Sequence, residues 1–159
     1  MSELKTAALI PARYASSRFP GKALAEIMGE AMIVRVYQAV EKCEIIDQVY
    51  VATDDLRIKN AVEAAGGRVI MTSARHQSGT DRIAEAAAEI EADIIVNIQG
   101  DEPLIKAESI ELAVEPFVEE SELKMSTLKR EISAAEAANP DLVKVITDKN
   151  DYAIYFSRS

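Results

Sequence analysis

The chain has 159 residues, 48% hydrophobic and 28% charged, with 27 acidic against 18 basic side chains and a formal charge of −9. That length suits one domain burying roughly 70% of its unfolded surface, and the acidic balance argues against nucleic acid and membrane as partners. A single cysteine, Cys43, excludes an internal disulfide, and with a single histidine, His76, the chain lacks the partners for a His/Cys zinc site, a Ser-His-Asp triad or a Cys-His pair.

Residues 7–10 are a short apolar run that reads as a first strand. A basic loop follows, then apolar positions at helical spacing over 32–43, with Cys43 among them on the core side. Residues 48–53 alternate as a strand, Asp54-Asp55 form a turn and helix cap, and 56–65 is a helix closed by Gly66-Gly67. A third strand over 68–71 leads to an alanine-rich helix at 80–91. Residues 93–98 are almost all apolar, which suits a central parallel strand buried on both faces. A helix at 107–119 contains Pro116, which is expected to disturb it. Strands at 124–129, 143–147 and 152–156 then surround a short helix at 133–138, the last of them adding an antiparallel edge. This alternation predicts an α/β fold: a layered, mostly parallel sheet with helices on both faces. The expected organisation is one nucleotide-binding domain over residues 1–159. The chain stops after an apolar strand with no closing helix, which is expected of the amino-terminal part of a longer enzyme. Neither a signal-peptide core nor a membrane-spanning apolar run is present in the sequence, and the expected location is the cytoplasm.

Three loops carry candidate chemistry. The first runs Ile10-Pro11-Ala12-Arg13-Tyr14-Ala15-Ser16-Ser17-Arg18-Phe19-Pro20-Gly21-Lys22. No carboxylate stands between Glu3 and Glu26, yet Lys5, Arg13, Arg18 and Lys22 do. Guanidiniums hold phosphates by forked hydrogen bonds and an ammonium acts as a movable point charge, so this loop suits a polyphosphate at the carboxyl end of a strand. It is neither a P-loop, since Ala23 follows Gly21-Lys22, nor a Gly-x-Gly-x-x-Gly turn. The second loop is Thr72-Ser73-Ala74-Arg75-His76-Gln77-Ser78-Gly79-Thr80-Asp81-Arg82, where small hydroxyl residues and a glycine before a helix let backbone amides approach an anion or a base edge. A plain helix cap at Ser78 or Thr80 explains the same residues, and His76 without a partner of known position reads as a surface histidine. The third is Gln99-Gly100-Asp101-Glu102-Pro103, whose Asp101 is either a turn acid or a carboxylate for Mg²⁺ shared with substrate phosphates.

Taken together, Ile10 to Lys22, Ser78-Gly79-Thr80-Asp81-Arg82, Asn97-Ile98-Gln99-Gly100-Asp101-Glu102-Pro103 and Tyr155-Phe156-Ser157-Arg158 resemble the 3-deoxy-manno-octulosonate (KDO) cytidylyltransferases, or CMP-KDO synthetases, over essentially the whole chain. Phe19 departs from the leucine usual in that family. The resemblance implies a nucleotide-diphospho-sugar transferase type of fold, Mg²⁺ as cofactor and a homodimer joining KDO to CMP from CTP, with release of pyrophosphate, for lipopolysaccharide. It further implies that Arg18, Lys22 and Asp101 are catalytic, that Ala12, Arg13, Ser16, Arg18, Lys22, Thr72, Ser78 and Gly79 bind CTP, that Gln99 and Arg158 bind the sugar acid and that Asp101 holds the metal. A cytidylyltransferase for 8-amino-KDO or sialic acid, a metal-dependent glycosyltransferase and a non-catalytic nucleotide-binding module remain as rivals. Against the second of these, Asp101 and Glu102 are adjacent where an Asp-x-Asp is wanted.

Overall fold

The computed structural model describes residues 4–15 and 19–159. They divide into two compact units, one ending at Ser126 and the other spanning Thr127–Ser159.

In the first unit, β1 (Thr6–Ala12), β4 (Gln48–Thr53), β5 (Val69–Met71) and β6 (Ile94–Asn97) form one parallel sheet in the order β5-β4-β1-β6. Side chains alternate across a strand, so β1 feeds two cores. Ala8, Ile10 and Ala12 face α1 (Met32–Glu41), α2 (Leu56–Ala64) and α4 (Ala107–Glu119), whereas Leu9 faces α3 (Gly79–Ala87). Helices therefore cover both faces, as the alternating pattern predicts. The spacing on α1 shows why it docks: Ile33, Val36, Tyr37 and Val40 recur at i, i+3, i+4 and i+7 and are all buried. Cys43 closes that stripe, and burial pushes its thiol pKa up.

Several expectations are corrected. The inner strands are β1, with six of its seven residues buried, and β4; β6, although almost all apolar in sequence, is an edge of this sheet with Ile95 36% exposed. Apolar content ranks strands by composition, but only the pairing partners decide which ones are inner. The helix at 107–119, by contrast, has the bounds read from the sequence: Pro116 removes the hydrogen bond to the carbonyl of Leu112, close enough to the carboxyl end that the helix still runs on to Glu119. Residues 124–129 form no strand, because they find no ladder partner among the described residues. The pattern also missed β2 (Glu26–Ile27) and β3 (Glu30–Ala31), a small hairpin turning through Met28 and Gly29, both at positive φ. Arg35 of α1 steadies that turn, with Nε donating to the Ile27 carbonyl at 2.5 Å.

In the second unit, the short helix α5 (Ala134–Ala137) is started by a capping box. Ser133 Oγ accepts from the Glu136 N–H and Glu136 accepts from the Ser133 N–H. There β7 (Lys144–Thr147) and β8 (Ala153–Ser157) pair with each other as an antiparallel hairpin, instead of joining the parallel sheet. No helix among the described residues is long and apolar enough to cross a membrane.

Candidate active site

Strand addition runs from β1 through β4 to β5 and then reverses, placing β6 on the other side of β1. The loops leaving β1 and β6 therefore lie side by side at the carboxyl ends of the strands, the usual ligand position in such sheets. A cleft of about 310 Å³ opens there, lined by Pro11 to Arg13, Lys22, Ala23, Met32, His76 to Gly79, Arg82 and Gln99 to Asp101.

Pro11 is the point at which the neighbouring loops come closest to β1. A Cβ on Gly100 would stand 2.9 Å from the Pro11 carbonyl oxygen, and one on Gly79 would stand 3.3 Å from the Pro11 ring. At Gly100 the approach to β1 is this close only because the position carries no side chain, whereas the Pro11 ring facing Gly79 can give by a few tenths of an ångström. The close approach of Gly100 puts Asp101 at the cleft, where its Oδ2 lies 2.5 Å from Lys22 Nζ. Arg13 lines the same wall, with no ion-pair partner among the described residues. This wall thus carries two cations and one carboxylate. Such a wall can neutralise a polyphosphate, and Asp101 can share a divalent cation with it.

The opposite wall is built on α3. Ser78 is its N-cap, Oγ accepting from the Asp81 N–H at 3.1 Å, so the capping role and a place in the cleft coexist. Arg82, one turn on, is 3% exposed. Its Nη1 donates to Thr72 Oγ1, and its Nη2 lies 2.9 Å from Asp54 Oδ1, an ion pair off the hydrogen-bond angle. Glu85 ties down the preceding loop, accepting from the Ser73 N–H at 2.9 Å and contacting His76 Nε2. The Ser73 N–H first, and His76 beside it, hold the Glu85 carboxyl below the usual carboxylate range.

A family model described as cytidylyltransferase matches residues 7–159. The chain belongs to the cytidylyltransferase family. A 3-deoxy-manno-octulosonate cytidylyltransferase of Geobacter metallireducens is 55% identical over 157 residues, covering 98% of this chain and 62% of the relative. One from Escherichia coli is 47% identical over 155 residues, covering 98% and 63%. A solved CMP:2-keto-3-deoxy-manno-octonic acid synthetase complexed with CTP superposes with a TM-score of 0.94 at 47% identity, covering 98% of this chain and 64% of that one. The parallel sheet with its helices is the nucleotide-diphospho-sugar transferase fold of that neighbour. The chain spans less than two thirds of the length of the curated relatives it matches.

Of the residues singled out in the sequence, the cleft gathers Ala12, Arg13, Lys22, Ser78, Gly79, Gln99 and Asp101. Thr72 is not in its lining: buried, it spends its hydroxyl on Arg82. Arg18 and Ser16 lie outside the described residues. Arg158 belongs to the second unit, where Nη1 donates to the Asp141 carbonyl at 3.1 Å. His76 is not the partnerless surface histidine expected, since Glu85 meets it and it lines the cleft. Asp55 caps α2 as expected, but Asp54 faces Arg82 instead. The role of Arg82 went unread. Its signal was its position four residues after the cap Ser78, one turn along the same face.

Proposed function

We propose that the full-length protein is a cytidylyltransferase that activates KDO, converting CTP and KDO to CMP-KDO and pyrophosphate for lipopolysaccharide. The observation that carries this is the meeting of Lys22 with Asp101 at the cleft, in a chain 55% identical to a protein named for that reaction. The anomeric hydroxyl oxygen of KDO attacks the α-phosphorus, the bond from that phosphorus to the β-phosphate bridging oxygen breaks, and pyrophosphate leaves as the hydroxyl proton is lost. For such a transfer, positioning and charge neutralisation supply most of the acceleration. Lys22 and Arg13 bind and neutralise the triphosphate, together with Arg18. Ser78 and Gly79 border the nucleoside, and Gln99 faces the sugar acid, with Arg158 assigned to the same substrate.

Among the described residues no cluster of three His, Cys, Asp or Glu side chains could hold a metal by itself. A single cleft carboxylate nevertheless fits Mg²⁺, which binds through one or two carboxylates plus substrate phosphates. Asp101 would hold it, and the ion would add charge neutralisation at the reacting phosphates. The proposal extends to a homodimer in the cytoplasm, the lone and buried Cys43 suiting a reducing compartment.

The deciding experiment is pyrophosphate release from CTP by the full-length protein with KDO, 8-amino-KDO and sialic acid offered in turn. Release with KDO at the highest kcat/KM is expected. Preference for either other acid would reassign the acceptor, and no release with any of the three would overturn the enzymatic reading.

A further inference from the structure

The basic loop is braced by a residue that is not among those lining the cleft. Arg57, in the first turn of α2, donates from Nε to Asp55 Oδ1 at 3.0 Å and from Nη2 to Asp55 Oδ2 at 2.6 Å. So clamped, its guanidinium lies 3.2 Å from the centre of the Tyr14 ring. On the loop's return, Gly21 at φ +74° donates its N–H to the Tyr14 carbonyl at 2.8 Å, and a Cβ there would stand 3.1 Å from the same ring. Arg57 and the Gly21 backbone thus both bear on Tyr14. Lys22 is the next residue and begins the 3-10 turn Lys22–Leu24, so its starting point depends on where Gly21 lies against the ring.

We infer that Arg57 is a positioning residue for the triphosphate clamp: by holding the Tyr14 ring against Gly21, it fixes the point from which Lys22 reaches the nucleotide's phosphates. This rests on the CTP reading above. A bidentate carboxylate partner removes most of the rotational freedom of a guanidinium, so the ring meets a fixed cation. Lysine, a rounder and more strongly hydrated charge, would reproduce the contact only in part. The inference makes a distinction that a general structural role would not. Under the proposed function Lys22 neutralises the triphosphate, whose second and third phosphates CMP lacks, so CTP should feel Arg57 and CMP should not.

The test is isothermal calorimetry of the full-length protein with CTP and with CMP. Arg57 is 58% exposed at its side chain, and the Asp55 cap on α2 runs through the backbone N–H of residue 57, so Arg57→Met keeps both core and cap. We expect Arg57→Met to weaken CTP binding about two- to fivefold, the scale of one exposed cation–π contact, with CMP binding unchanged and Arg57→Lys recovering part of the loss. In a Tyr14→Leu background, Arg57→Met should have no further effect on CTP. Unchanged CTP binding, equal weakening of CTP and CMP, or full additivity with Tyr14→Leu would overturn the inference while leaving the proposed function standing. A wild-type protein that binds no CTP would overturn both.

Discussion

Lys22 and Asp101 stand 2.5 Å apart although 79 residues separate them in the chain. Both side chains are about half exposed, at 43% and 50%, so the pair contributes only about 0–1 kcal/mol to folding. Its interest lies in exchange: under the proposed function a metal-bound triphosphate would offer Asp101 a cation and Lys22 an anion, so that each partner would have a substitute when the pair opens.

Lys22→Ala should therefore leave the fold intact and cut turnover by about two to three decades, the scale for one preorganised contact to developing charge. Circular dichroism with a coupled pyrophosphate assay reads both at once. A variant releasing pyrophosphate at the wild-type rate would take Lys22 out of the mechanism.

Asp101→Asn keeps the shape and removes the charge. Magnesium-dependent turnover should collapse, whereas CTP binding measured without metal should change little. A magnesium titration of the rate decides this: an unchanged half-saturating concentration in the variant would make Asp101 a turn residue and put the metal elsewhere.

The two glycines around Pro11 should differ in what they tolerate. At Gly100 an added methyl meets a backbone oxygen at 2.9 Å, which cannot yield without moving β1, so Gly100→Ala should cost about 1–3 kcal/mol and displace Asp101. At Gly79 the neighbour is a proline ring carbon at 3.3 Å that yields by a change of pucker, and alanine in the first turn of α3 gains helix propensity; Gly79→Ala should be near neutral. Urea unfolding of both variants gives the comparison, and equal costs would refute the steric limit set by the Pro11 carbonyl.

Glu85 ties the second loop to α3 in a pH-dependent way. Its carboxyl titrates below the ordinary 4.5 in the folded protein, so its contribution to stability is complete above that value. As pH falls through the folded pKa, the unfolded chain having bound its proton first, that contribution is lost. Glu85→Gln should lower the melting temperature at pH 7 and shallow its decline below pH 4.5. Parallel declines for wild type and variant would mean that the Ser73 and His76 contacts carry no linkage.

What the sequence alone determined is mostly local or tied to one face. The 3.6-residue stripe of Ile33, Val36, Tyr37 and Val40, the cap residues Asp55 and Ser78, and the acid-free stretch before Glu26 were legible because short-range sterics, hydrogen bonds and charge write them into neighbouring positions. The cleft residues Arg13, Lys22 and Asp101 were legible too, since they follow strand ends and the parallel topology collects strand ends on one side. Only tertiary structure decided that β1 and β4 are the inner strands and β6 an edge, that Thr72 turns inward to Arg82, that Glu85 meets His76 and that Arg57 lies on Tyr14. Each of these depends on which elements become neighbours. Strand order and close packing choose such partners through the shape of the whole core, a property that no window of sequence contains.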